Sequence, residues 1–106
     1  MRFFGLKSCD TCRKALKSLR AAGHDPHVID VRADGIGPDD LAAILNAFGD
    51  AAINRKSTTW RGLSDADKAR DTASLLADHP TLMKRPVIHA DTWYLGWSPE
   101  IQAALL

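Results

Sequence analysis

The chain has 106 residues with 14 Lys and Arg against 13 Asp and Glu, a net charge of +1. This length suits one domain whose single core buries roughly 60–70% of the unfolded surface, and 45% hydrophobic with 25% charged residues excludes disorder, collagen and coiled coil. Near neutrality excludes a broadly basic nucleic-acid surface, no apolar run reaches membrane-span length, and Met1–Lys7 has too short an apolar part for a secretory leader.

Arg2 to Leu6 is short and aromatic and reads as a buried strand. From Asp10 the period changes: Cys12, Ala15, Leu16, Leu19 and Ala22 recur at helical spacing, and Gly23 stands where such a helix ends. His27–Val31 reads as a second strand, followed by a turn at Asp34-Gly35. Pro38 opens a helix whose apolar face is Leu41, Ile44, Leu45 and Phe48, with Gly49 after it. Ser64, with Asp67 three positions on, resembles a capping-box start. The helical stretch that follows runs through Leu75 and Leu76 and stops near His79-Pro80.

Pro86–His89 then reads as a strand, Asp91-Thr92 as a tight turn and Trp93–Leu95 as the return strand of a hairpin. Ser98-Pro99-Glu100 combines a cap, a proline at the first helical position and an acid in the first turn. The expected class is α/β: a thioredoxin-like, glutaredoxin-type core with a helical block inserted between its βαβ and ββα halves. One domain over 1–106 is expected, with the insertion at roughly 37–80.

Only two cysteines occur, Cys9 and Cys12, separated by Asp10 and Thr11. A secreted scaffold of this size carries more, at wider spacing, and so small a loop stabilises little. Three readings remain. Zinc needs two further ligands, and none of His24, His27, His79 and His89 forms a finger-like second pair. Two inert buried thiols are the second reading. The third is redox chemistry, which the position favours: Cys9 sits at a strand-to-helix turn, where free backbone N–H groups and the helix dipole favour the thiolate nucleophile. Lys7, Arg13 and Lys14 add positive charge there and Asp10 opposes it. Cys9 is the expected exposed member and Cys12 the one on the packed face.

The cations are also segregated. Segments 7–14, 55–61 and 84–85 hold eight of the 14 cations (Lys7, Arg13, Lys14, Arg55, Lys56, Arg61, Lys84, Arg85) and one of the 13 acids. Arginine suits carboxylates and oxyanions through its planar fork, so an anion-binding face is one reading and separate solvated helix ends the other. In a thioredoxin-type layout a cis proline opens the third strand and faces the nucleophile, which makes Pro86 the candidate. Trp60, Trp93 and Trp97 read as packing residues rather than a stacking platform.

Gly5-Leu6-Lys7-Ser8-Cys9-Asp10-Thr11-Cys12-Arg13-Lys14-Ala15, Asn54-Arg55-Lys56-Ser57-Thr58-Thr59-Trp60-Arg61, Lys84-Arg85-Pro86-Val87 and Gly96-Trp97-Ser98 together resemble the arsenate reductase (ArsC)-like family, most of all its YffB subgroup, with the Spx regulators as cousins. The resemblance spans essentially the whole chain. It implies a thioredoxin-like core with an inserted helical block, Cys9 as the catalytic cysteine, and Arg55 and Arg85 as the family's first two anion-binding arginines. A third arginine of the glutaredoxin-coupled arsenate reductases is replaced here by Trp97. Losing one such charge-assisted donor weakens oxyanion stabilisation by roughly 10–100-fold, so arsenate is not the first choice of substrate.

The leading expectation is a cytoplasmic, glutathione-dependent thiol–disulfide oxidoreductase. Cys9 would form a mixed disulfide that glutathione or Cys12 resolves. Cys9, Cys12, Arg55 and Arg85 are the candidate catalytic residues, the two arginines stabilising the thiolate, and Lys7, Ser8, Asp10, Thr11, Arg55, Arg85 and Pro86 are the candidate glutathione-binding residues. No metal and no tightly bound cofactor is expected. Glutathione is the expected co-substrate, a small thiol or oxyanion the substrate class, and glutaredoxin a candidate partner. A monomer with no nucleic-acid or membrane partner is expected. The alternatives are a glutathione- or glutaredoxin-coupled arsenate reductase and a redox-sensing regulator of the Spx kind that binds RNA polymerase.

Overall fold

The computed structural model describes residues 1–106 and separates into two compact units, Met1–Val31 with Arg85–Leu106, and Arg32–Lys84. In the first unit the chain runs β1 (Arg2–Gly5), α1 (Asp10–Ala21), β2 (His27–Asp30), then β3 (Val87–His89), β4 (Trp93–Leu95) and α6 (Pro99–Leu105). The sheet order is β2-β1-β3-β4. β1 pairs parallel with β2, Phe3 opposite Val28, and antiparallel with β3, Phe3 opposite Ile88. β3 and β4 form the hairpin, with Ile88 opposite Tyr94. A parallel βαβ half joined to an antiparallel ββα half is the thioredoxin-like architecture.

Alternation along the strands divides the sheet faces. Phe3 and Ile88 face a core shared with Cys12, Ala15 and Leu19 of α1 and Leu105 of α6. Phe4 and Val87, one residue along, fall on the opposite face and are equally buried. There Arg2 lies 5.5 Å from the Phe4 ring centroid and 5.6 Å from that of Trp93, and Trp93 stacks on His89 at 4.0 Å. α6 starts as its sequence predicts, with the Ser98 hydroxyl accepting from Ile101 N–H and Pro99 at the first position. α1 ends where Gly23 takes a φ of +94°, a conformation glycine adopts at little cost.

The second unit holds α2 (Pro38–Phe48), a 3₁₀ turn (Gly49–Ala52), three short helices, α3 (Thr58–Arg61), α4 (Asp65–Lys68) and α5 (Thr72–Asp78), and a second 3₁₀ turn (Pro80–Leu82). α2 packs on α5. Leu41, Ile44, Ala52, Ile53, Leu75, Leu76, Leu82 and Met83 are all buried. Ile53 bridges Met83, flanked by hydrogen bonds from Asn54 N–H to the Leu82 carbonyl and from Lys84 N–H to the Ala52 carbonyl, both 2.7 Å.

Two features depart from the sequence reading. The stretch after Ser64 is not one helix: α4 ends at Lys68, and the Asp71 carboxylate accepts from Ser74 N–H at 3.0 Å to start α5 afresh. Asp competes for backbone N–H groups and so favours a new cap over helix continuation. The Ser57 hydroxyl caps α3 in the same way, accepting from Trp60 N–H at 3.1 Å. The caps Ser57, Ser64 and Asp71 thus recur every seventh residue, each opening one short helix.

Candidate active site at the end of the first strand

β1 ends at Gly5, Lys7 and Ser8 form an exposed turn, and Cys9 occupies the cap position of α1 in extended conformation, φ −86° and ψ 119°. Cys9 N–H donates to the Leu6 carbonyl at 3.2 Å and its carbonyl accepts from Arg13 N–H at 3.0 Å, which fixes the backbone on both sides of the sulfur. Cys9 is half-buried and Cys12, one helical turn on, is 1% exposed; both are free thiols. Cys12 belongs to the core cluster, with Cys9 packed against its edge.

The two thiols have opposite acidities. Partial burial opposes ionisation of Cys9, but the Cys12 backbone N–H, the Cys12 thiol and the Arg85 guanidinium outweigh it and lower its pKa. Burial raises Cys12 to about 11, and its hydrogen bond to Cys9 and the Cys9 charge reinforce that rise. Cys9 is therefore the more acidic thiol of the pair and Cys12 the less acidic.

The leading cation acting on Cys9 is not one of its sequence neighbours. Arg13 is paired with the Asp10 carboxylate on the exposed side of α1, and Lys7 and Lys14 are exposed. Arg85 supplies the charge instead. It is half-buried and stands just before Pro86, and the Arg85–Pro86 bond is cis, as the layout predicts. The Pro86 carbonyl accepts from Gly96 N–H at 2.7 Å, extending the hairpin ladder. Thr11 is exposed on the first turn of α1. Trp97 packs against the core cluster, and its carbonyl accepts from the Gln102 side chain at 3.2 Å. An indole held this way offers no charge to an anion.

Beside the cysteine turn, a largely apolar cavity of about 160 Å³ is lined by Phe3, Gly5, Leu6, Leu16 and Val28, and by Lys7, Arg13 and Asp30. The second unit has a cavity of about 240 Å³ lined by Ile53, Asn54, Arg55, Lys56 and Lys84. Arg55 lies 5.4 Å from the Trp60 ring centroid, and Lys68 5.9 Å from it, so Trp60 serves as a platform for cations as well as a packing residue. No three His, Cys, Asp or Glu side chains come together to hold a metal ion.

Gly5 and Leu6 were not singled out as site residues from the sequence, yet both touch the pair: a Leu6 backbone hydrogen bond reaches the Cys12 sulfur, and Gly5 backs onto Cys12. A glycine inside a strand leading to a Cys-x-x-Cys turn is a signal of close approach.

The ArsC family model matches residues 4–104. An uncharacterized protein of Haemophilus influenzae is 42% identical over 93 residues, covering 83% of this chain and 82% of its own length. An arsenate reductase of Rhizobium meliloti is 32% identical over 89 residues, 78% of this chain and 64% of its own. Among solved structures, the YffB protein is similar with a TM-score of 0.90 and 32% identity, over 99% of this chain and 97% of that one.

Proposed function

The chain belongs to the ArsC family, whose arsenate reductase-like members support a thiol-dependent reductase, and we propose that it is a glutathione-dependent thiol–disulfide oxidoreductase with Cys9 as nucleophile. The Cys9 thiolate attacks a sulfur of a glutathione mixed disulfide. The Cys9–glutathione disulfide forms, and the substrate thiolate leaves and takes a proton from water. A second glutathione thiolate then attacks that bond, releasing oxidised glutathione and restoring the Cys9 thiolate. In the other branch Cys12 attacks the Cys9 sulfur, giving a Cys9–Cys12 disulfide and free glutathione, and two further glutathione molecules reduce the pair.

The observation that carries this reading is the opposed acidity of the two thiols, Cys9 lowered and Cys12 raised to about 11. While Cys9 is anionic, Cys12 stays protonated. Once Cys9 is in a mixed disulfide its charge is gone, and one of the causes that hold Cys12 protonated is removed. Arg85 stabilises the Cys9 thiolate and is the proposed partner of a glutathione carboxylate. Arg55 takes the second anion-binding role from the family resemblance, and Lys7, Ser8, Asp10, Thr11 and Pro86 are the remaining proposed glutathione contacts. No tightly bound cofactor enters the cycle. Such chemistry belongs to a thiol-reducing compartment, the cytoplasm, with glutaredoxin as a candidate recycling partner and the monomer as the working form. No helix is long and apolar enough to cross a membrane.

Arsenate reduction through the same Cys9 is the second reading, favoured by the likeness to the Rhizobium meliloti arsenate reductase. Coupling turnover to NADPH oxidation through glutathione reductase separates the two. Cys9-dependent turnover of a glutathione mixed disulfide and not of arsenate supports the oxidoreductase, brisk arsenate turnover supports the second reading, and full activity in Cys9→Ser removes both.

A further inference from the structure

Gly5 is the last residue of β1, buried, opposite Asp30 in β2, and its carbonyl accepts from Val31 N–H at 3.0 Å. Its φ is not in the left-handed region, which only Gly23, Gly35, Gly49 and Gly96 occupy. The backbone would therefore accept any residue here. Space would not. A β-carbon on Gly5 would lie 2.9 Å from Cys12 Sγ, 3.4 Å from Cys12 Cβ and 2.8 Å from the edge of the Phe3 ring, where carbon atoms in good contact stand about 3.5–4.0 Å apart. Phe3 and Cys12 are 0% and 1% exposed within one cluster, so neither can give way toward solvent.

We propose that Gly5 is a positioning residue for the cysteine pair, its missing β-carbon being the space that seats the Cys12 thiol within hydrogen-bonding reach of Cys9. The proposal rests on the reading of Cys9 as the nucleophile. Cys12 has a single side-chain torsion between staggered wells, so relieving a contact at Gly5 means rotating the sulfur away. That rotation gives up the thiol hydrogen bond to Cys9 and the Leu6 backbone contact to Cys12. The Cys12 backbone N–H and Arg85, which also stabilise Cys9, do not depend on that torsion. The expected damage to Cys9 is partial.

The test is the pH profile of Cys9 alkylation by iodoacetamide, read by intact mass, in wild type, Gly5→Ala, Cys12→Ala and the double variant. Gly5→Ala should slow alkylation at pH 7 about threefold to tenfold by moving the profile alkaline. In the Cys12→Ala background the same change should leave the profile where it is, which a general loss of structure would not do. Should Gly5→Ala fail to fold, Phe3→Leu with Gly5→Ala, compared with Phe3→Leu alone, removes the ring contact and keeps the conflict with Cys12 Sγ. An acid-shifted wild-type profile that Gly5→Ala does not move, or moves equally without Cys12, overturns the role of Gly5 and leaves Cys9 standing. A wild-type profile of an ordinary thiol overturns the nucleophile reading and the role of Gly5 with it.

Discussion

Arg85 acts on the Cys9 sulfur from the residue before a cis proline, so the entry to β3 supplies the charge for a thiol at the exit of β1. These strands are antiparallel neighbours, with Phe4 opposite Val87, and that pairing brings the two residues together.

Arg85→Ala should therefore raise the Cys9 pKa, since it removes both a hydrogen bond and a positive charge from the thiolate. Arg85 is half-buried, which reduces the effect relative to a dry site. A three- to tenfold slower alkylation of Cys9 at pH 7 is expected, below the roughly 10–100-fold value of a full charge-assisted bond because of that exposure. Arg85→Lys should recover part of it, keeping charge without the planar fork. Equal rates in wild type and Arg85→Ala would show that the Cys12 groups alone hold the thiolate.

Cys12 makes an alkaline prediction. Its pKa is raised by burial to about 11 from 9.0, so the folded state keeps a proton that the unfolded state has lost between those values. The unfolded chain then binds fewer protons than the native one, and stability falls as pH rises through that window. The full contribution is present below pH 9. About 2–3 kcal/mol should be lost by pH 11, two pKa units at 1.36 kcal/mol each. Urea melts of wild type and Cys12→Ala from pH 8 to 11 isolate it: the stability difference between them should shift by that amount in favour of Cys12→Ala. A constant difference would mean that the buried thiol ionises without unfolding pressure.

Local signals made much of the fold legible. Gly23 after a helical period, Pro38 and Ser98-Pro99-Glu100 each act within a few residues of themselves, so their helices begin and end where the residues indicate. The Cys9 cap position followed from the change of period at Asp10 for the same reason. The breaks within the second unit were illegible because Asp71 reads equally as a polar helix residue and as a cap, and only the path of the chain decides. Arg85 is legible as a thiolate partner only through the family resemblance, whereas proximity in sequence points to Lys7, Arg13 and Lys14; of these Arg13 pairs with Asp10, and Arg85 reaches Cys9 through strand pairing. Gly5 was visible as a strand residue and invisible as a space, because a missing atom has meaning only once Cys12 is seen against it.

Asp71→Ala should lower stability by about 0.5–2 kcal/mol, the ordinary effect of deleting an N-cap. Its carboxylate accepts from both Ser74 N–H and the Ser74 hydroxyl, at 3.0 and 2.8 Å, and those bonds hold its pKa below the usual carboxylate range. Asp71→Ser should recover most of the loss, since a hydroxyl serves the same N–H. Thermal melts of the three proteins decide it. No loss in either variant would show that the break between α4 and α5 is held by packing of Leu75 and Leu76, with the cap incidental.

Trp97→Arg tests why arsenate is the second reading. The resemblance places a third anion-binding arginine at this position, and the indole that replaces it packs on the Phe3, Cys12 and Ile88 cluster. Restoring the guanidinium should raise Cys9-dependent arsenate turnover by roughly 10–100-fold, the value of one charge-assisted donor to an oxyanion. Losing the packed ring should lower stability by about 1–3 kcal/mol, since a charged group then borders the core. Turnover of a glutathione mixed disulfide should stay within about threefold, because Cys9, Cys12 and Arg85 are untouched. The measurement is the ratio of the two activities in folded protein, with Cys9→Ser subtracted. A ratio that does not move would show that Trp97 is not what separates this chain from arsenate reduction, and that the choice of substrate lies elsewhere among its cations.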